Sequence, residues 1–230
     1  MKPELNFTTV EQMEADATKL HSLGCESCGA ETWADREVKQ RPHCKFGEDG
    51  ICCRVCSMGP CRITAKADRG ICGADAHTIA GRHYLRMAAA GSAAHSDHAR
   101  EIAHTLLATK PEGPYVVRDV EKLKKLAEEW GVEFEGRDVY DVAHDVALIG
   151  LEEFGKPFGT LRYLSRATAE RQKLWADEEL APRSIDREIS TALHMTHMGN
   201  TADAEVLVRH SMRVGLADGW GGSMIGTEFT

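Results

Sequence analysis

Several things are missing from this sequence, and each absence removes a class of function. No apolar run approaches the ~20 residues needed to cross a bilayer, so no membrane span is expected. The first twenty residues, MKPELNFTTVEQMEADATKL, have no apolar core behind a basic end. No secretory signal is therefore read there, and a cytoplasmic location is expected. Acidic residues outnumber basic ones, 36 to 28, for a formal net charge of -8. A nucleic-acid footprint would need a basic patch or stripe, so no nucleic-acid partner is expected. Alternating strand patterns do not extend beyond a short YVV at residues 115–117, and no cysteine follows Cys72.

What is present is concentrated. The eight cysteines, Cys25, Cys28, Cys44, Cys52, Cys53, Cys56, Cys61 and Cys72, all fall in one early stretch of the 230 residues. In a reducing compartment such clustering points to metal or redox chemistry rather than to a disulfide framework. Residues 21–75 are rich in Cys and Gly and poor in periodicity, so they read as loops and turns that metal would have to organise. Before them, residues 1–20 carry a short amphipathic helix over about 6–20, with Thr8 or Thr9 as its cap.

From residue 76 the texture becomes helical. HTIAGRHYLRMAAAGSAAHSDHAREIAHTLLATK contains no proline and reads as one long helix, or as two broken near Gly91. RDVEKLKKLAEEWG places Leu123, Leu126 and Ala127 on one face and Gly131 as a stop. GRDVYDVAHDVALIGLEEFG repeats the pattern with Val139, Val142, Val146 and Ile149. Further helices are expected over about 165–180, 184–198 and 201 to the end. The fold class is thus mainly α: a Cys-rich segment followed by an all-helical domain over 76–230. The apolar, helix-like finish in LADGWGGSMIGTEFT reads as a piece of a larger α plus α/β enzyme.

Thiolates suit zinc, copper(I) and iron–sulfur clusters. Two CxxC pairs, Cys25–Cys28 and Cys53–Cys56, could close a zinc site. That choice leaves Cys44, Cys52, Cys61 and Cys72 unexplained. The vicinal pair favours clusters, because neighbouring side chains on an extended stretch point to opposite sides. Cys52 and Cys53 are then ligands of two different centres. Cys53, Cys56 and Cys61 wrap one [4Fe–4S] cluster with Cys72 as the fourth ligand, as compact ferredoxin-type runs do. Gly59 and Pro60 turn the chain, Gly70 and Gly73 admit the backbone near Cys72, and Cys52 is left for a second cluster with Cys44.

The stretch ETWADREVKQRPHCKFGEDGICCRVCSMGPCRI, followed by GICGADAHTIAGRHYLRMAAAGSAAHSDHAREIAHTL, resembles the N-terminal part of the anaerobic nickel–iron carbon monoxide dehydrogenases. The CxxxxxxxCCxxCxxxxC array, the GICGA cysteine and the AAHSDH helix carry the likeness, which continues more loosely to ADGWGGSMIGTE. Hybrid-cluster proteins are relatives with a different N-terminal cysteine pattern.

The resemblance implies oxidation of CO with water to CO2, two protons and two electrons. The nickel–iron–sulfur cluster of the full-length enzyme is held by later domains, so this chain alone is expected to be inactive. It implies that Cys53, Cys56, Cys61 and Cys72 hold a relay [4Fe–4S] cluster, one per chain. Cys44 and Cys52 then hold half of a further cluster shared across a homodimer, and a ferredoxin-like protein accepts the electrons. Two departures stand out. Cys25 and Cys28 match no family ligand pair, and could instead close a cluster with Cys44 and Cys52 inside one chain. The loop from Cys61 to Cys72 is also a few residues shorter than in the relatives.

His95, His98 and His104 lie three and six residues apart with Glu101 between them. Steps of three on a helix advance ~4.5 Å and drift slowly round one side. Imidazoles so placed are either ordinary surface residues or a proton relay that titrates near neutrality. The resemblance implies the relay, with His95 nearest the catalytic cluster and Glu101 standing where some relatives carry another His. His194 and His197 lack a third ligand, HSDH is composition rather than a triad, Met87, Met195, Met198 and Met212 read as core, and GWGG reads as a turn or helix break.

Overall fold

The structure is a computed structural model; it describes residues 33–230 together with Lys19, Gly29 and Glu31. The expected helix over residues 6–20 and the pair Cys25 and Cys28 lie outside the described residues. Two compact units are present, Met1–Asp49 and Gly50–Thr230. The composition boundary at residue 75 falls inside the second unit.

In the part of the first unit read as loops and turns, from residue 21 on, two short helices form: α1 (Trp33–Lys39) and α2 (Lys45–Glu48). Charged pairs along the chain support them, Glu37 with Arg41 at 2.9 Å and Lys45 with Asp49 at 3.3 Å. Such i,i+4 pairs each contribute a few tenths of a kcal/mol, ~0.3–0.5, to a helix.

The second unit opens with a minimal ribbon. Strand β1 (Cys52–Cys53) pairs antiparallel with β2 (Cys61–Arg62), Cys52 opposite Arg62 and Cys53 opposite Cys61. A single long helix follows, α3 (Ala76–Leu107), 32 residues with no break at Gly91. A Cβ at Gly91 would meet nothing within 4 Å. The helix therefore carries only the intrinsic cost of glycine there, about 1 kcal/mol relative to alanine, which packing on either side outweighs. Asp75 starts it by accepting from the Thr78 N–H at 2.8 Å, a side-chain N-cap.

After it come α4 (Val120–Trp130), α5 (Val139–Gly155), α6 (Ala169–Asp177), α7 (Ile185–Met195), α8 (Ala204–Ala217) and α9 (Ser223–Glu228), with a 3₁₀ turn at Arg162–Arg166. Of these, α5, α7, α8 and α9 pack on α3, and α4 packs on α5. Asp119, Asp138, Thr168 and Asp203 cap α4, α5, α6 and α8 with their side chains. Gly131 ends α4 at φ 72°. That left-handed conformation is the one glycine adopts without a Cβ penalty.

Small residues let the neighbours approach α3 closely. A Cβ at Gly81 would stand 3.4 Å from the Leu207 side chain, and Ala89, Ala99 and Ala103 are buried along the same helix. One apolar cluster joins Leu85 and Ala89 to Ala192, Leu207 and Val214. A larger one gathers Ala99, Leu123, Val146, Phe154 and Ile185. Each fully buried Leu, Ile or Phe contributes roughly 1.5–3 kcal/mol over its exposed state.

Of the methionines expected in the core, Met195 packs against the first cluster. Met87, Met198 and Met212 are instead exposed: Met87 and Met212 fall on the outer faces of α3 and α8, and Met198 lies in the turn after α7. Among the described residues no helix is long and apolar enough to cross a membrane.

Candidate metal centre

The register of the ribbon places the adjacent cysteines apart. Cys53 sits directly opposite Cys61, and directly opposed residues in an antiparallel pair share a face. Cys52, one residue away, therefore belongs to the other face. The Gly59–Pro60 turn is tight: a Cβ on Gly59 would lie 3.1 Å from the Cys53 carbonyl oxygen and 3.2 Å from the Cys61 nitrogen. Farther on, Gly70 passes over Cys61, where a Cβ would come within 3.3 Å of the Cys61 Cβ. The expected close approach thus occurs at Cys61 for Gly70, while Gly73 supplies a left-handed turn at φ +87° right after Cys72.

The result is one small cavity whose wall includes Cys53, Cys56, Cys61 and Cys72. Ile79 and Arg82, three residues apart on one face of α3, close it from below. Cys52 does not line it. The six described cysteines are all free thiols.

The sulfurs are supplied with hydrogen-bond donors. The Ile71 N–H reaches Cys61 Sγ at 3.4 Å, and Arg82 Nη1 reaches Cys72 Sγ at the same distance. The Arg82 guanidinium is the main cause that holds the Cys72 thiol down to about 7; partial burial opposes it, and the Gly199 and Ala74 N–H groups assist. Among the described residues no three His, Cys, Asp or Glu side chains gather closely enough for a single metal ion. Four thiols around a common cavity are the donor set that a [4Fe–4S] cluster with Cys₄ ligation takes, and a Cys₄ zinc site uses the same ligands. Cys44 lies in the other unit, exposed at the start of α2.

A second constellation occupies the middle of α3. His95 and His98 line one groove with Ala99, Ile102, Ser223 and Thr227. His104 is six residues on and does not line it. The Nδ1 of His95 lies 2.7 Å from Asp218 Oδ1. A carboxylate there accepts the Nδ1–H and fixes the orientation of the ring.

Asp218 was not anticipated, and the reason is local. The DGWGG stretch is no break: α8 runs on through a π-helical turn, Asp218–Gly222, into α9. Widened turns of this kind recur at functional sites. This one brings Gly222 against α3, where a Cβ would be 3.3 Å from the His95 carbonyl carbon. Only the glycine pattern itself could have drawn attention to it.

Comparison with known proteins turns these sites into a family. Residues 51–230 match the Prismane/CO dehydrogenase family. The chain belongs to that family. It is 48% identical to carbon monoxide dehydrogenase 1 of Methanosarcina mazei over 230 residues, 98% of this chain and 37% of that protein. It is 40% identical to carbon monoxide dehydrogenase 1 of Carboxydothermus hydrogenoformans, over 89% of this chain and 33% of the relative. Among solved structures, a nickel-free carbon monoxide dehydrogenase from Thermococcus sp. AM4 is similar with a TM-score of 0.81 and 44% identity, over 89% of this chain and 33% of that one. The chain spans about a third of the length of the relatives it matches. The mainly helical fold and the resemblance drawn from the cysteine array are borne out together.

Proposed function

We propose that this chain is the electron-exit and proton-relay portion of an anaerobic nickel–iron carbon monoxide dehydrogenase. The reaction served converts CO and water to CO2, two protons and two electrons. The observation that carries the reading is the single cavity walled by Cys53, Cys56, Cys61 and Cys72, inside a sequence region matched by the family.

A [4Fe–4S] cluster held there supplies one-electron relay. The chain's part is to hold it: the ribbon opposes Cys53 to Cys61, the turn at Gly59 brings Cys61 round, and N–H donors support the sulfurs. Cys52, on the opposite face, joins Cys44 as half of a cluster shared with a second copy of the chain in a homodimer. A ferredoxin-like protein then takes the electrons away.

For protons, His95 is the acid/base, oriented by Asp218 through Nδ1. His98 shares its groove and His104 continues the route along α3, with Glu101 between them. No cysteine follows Cys72, so the ligands of the nickel–iron–sulfur cluster are assigned to the portion of the relatives that this chain does not span.

The test is anaerobic reconstitution with iron and sulfide. A brown protein with broad visible absorption is expected, and single alanine variants at Cys53, Cys56, Cys61 and Cys72 each lose the relay cluster. A colourless protein that binds zinc in place of iron would overturn the reading.

A further inference from the structure

Arginine side chains are seldom fully buried without a carboxylate partner. Arg82 is 2% exposed, and among the described residues no carboxylate pairs with it. Its guanidinium is instead stretched between two acceptors. Nε and Nη2 donate to the Thr201 carbonyl oxygen at 3.3 and 2.9 Å, and Nη1 points at Cys72 Sγ, 3.4 Å away. It is also the one charged side chain, thiols aside, on the described wall of the four-cysteine cavity; the rest of that wall is Val, Ile, Ala, Gly and Met. Its anchor is firm, because α3 is pinned next to it by Gly81 against Leu207 and by the Thr78 hydroxyl on the Ala202 carbonyl at 2.5 Å.

A buried cation needs compensating negative charge. On the wall of this cavity only the cysteine sulfurs can offer it, as the thiolate ligands of a bound cluster. Hydrogen bonds to the sulfurs, local charge and burial are what set the potential of a cluster held by four cysteines. Reduction adds one electron and one negative charge, with no bond made or broken at the protein. A fixed cation at the edge of an apolar cavity favours the form with more negative charge, and it does so strongly because little water screens it. Neutral N–H donors such as that of Ile71 act only as dipoles.

We infer that Arg82 is a potential-setting residue: its buried guanidinium, braced on Thr201, raises the reduction potential of the cluster held through Cys72 and so favours its acceptance of electrons. The inference rests on the relay-cluster reading above.

The experiment is a redox titration of the anaerobically reconstituted chain with dithionite as electron donor, following the reduced-cluster EPR signal that Cys53→Ala removes. Arg82→Gln should keep its iron but show the reduced-to-oxidised ratio at fixed potential lowered about tenfold, ~59 mV for a one-electron couple. Arg82→Lys keeps the charge but not the two-sided fork, and should fall about threefold. Iron-loaded Arg82→Gln at the wild-type ratio would overturn the inference while leaving the relay cluster intact. Should Arg82→Gln lose iron, a loaded Arg82→Lys decides: a lowered ratio supports the role and an unchanged ratio overturns it. Loss of iron in both variants would make Arg82 a structural strut and also overturn it. A wild-type chain that takes up no cluster would fail the relay reading itself.

Discussion

The ribbon that carries the cysteines and the helices that follow it are built on opposite principles. Between residues 50 and 74 the regular structure amounts to two strands of two residues each. Its own apolar cluster is Cys53, Ala74 and Ile79, and Met58 and Ile71 stand exposed. From α3 onward, Leu85, Val146, Ile185, Leu207 and Ile225 are fully buried, and the helices carry side-chain caps. The first region offers four thiols around a cavity where the second has an apolar core. Under the proposed function the first binds a cluster and the second is its scaffold, joined where Ile79 and Arg82 of α3 form one wall of the thiol cavity.

That contrast can be broken most forcefully at Cys53. Replacing it with alanine should remove the relay cluster outright, measured as iron and acid-labile sulfide per chain, while Cys25→Ala leaves iron unchanged. Equal iron loss in both would place Cys25 among the ligands.

Next in size is the ion pair between the buried Glu188 of α7 and the partly exposed Arg183 just before it. Glu188, fully buried, accepts from Arg183 Nε and Nη2 at 2.8 and 2.9 Å and from the Arg183 N–H at 2.9 Å. Glu188→Ala removes these charge-assisted hydrogen bonds and should destabilise the helical region by about 1.5–3 kcal/mol in denaturant titration. The iron bound per folded chain should not change.

Removing the metal with a chelator separates the two regions a third way. Amides of residues 50–74 should lose protection from hydrogen exchange while those of α3 and α5 keep theirs. Protection retained throughout would mean that the ribbon holds itself.

A smaller effect belongs to the cap of α8. Asp203 accepts from the Glu205 N–H at 2.8 Å and the Val206 N–H at 3.2 Å, so Asp203→Ala should cost ~1 kcal/mol.

The smallest concerns acid. Burial holds His210 below its ordinary 6.5, against the opposing pull of Glu188. Burial also opposes the charge of Glu188, but hydrogen bonds from Arg183 outweigh it, and its carboxyl lies below the usual 4.5. Both groups take up protons more readily in the unfolded chain. The stability they contribute is therefore complete above about pH 6.5 and falls as the pH is lowered through the His range and then the Glu range. His210→Gln should flatten the first part of that fall in Tm, and an unaltered profile would exclude His210 as its source.

Much of this was legible in the residues alone. Apolar residues at helical spacing, with Gly131 at a stop, located α4 and α5 because helical phase and a glycine stop are local chemistry. The vicinal cysteines announced two faces because strand geometry alternates whatever the fold, and the register agrees. The parts that stayed hidden depend on tertiary contact. A π turn at Asp218–Gly222 and a helix break have the same glycines, and only the packing of Gly222 on α3 distinguishes them. Arg82 reads as a surface residue in its helix until the Thr201 carbonyl and the Cys72 sulfur are seen on either side. Met87 and Met212 look like core by composition, yet helical phase turns them outward.

Under the proposed function Cys52 and Cys53, neighbours in the chain, serve different clusters. Native mass spectrometry of the chain reconstituted without oxygen is the decisive experiment, since it reads chains and iron together. A dimer is expected, carrying one [4Fe–4S] cluster per chain and one more between the chains, with Cys52→Ala losing the shared cluster and the dimer while each chain keeps its own. A monomer carrying two clusters, with iron lost on changing Cys25 or Cys28, would contradict it.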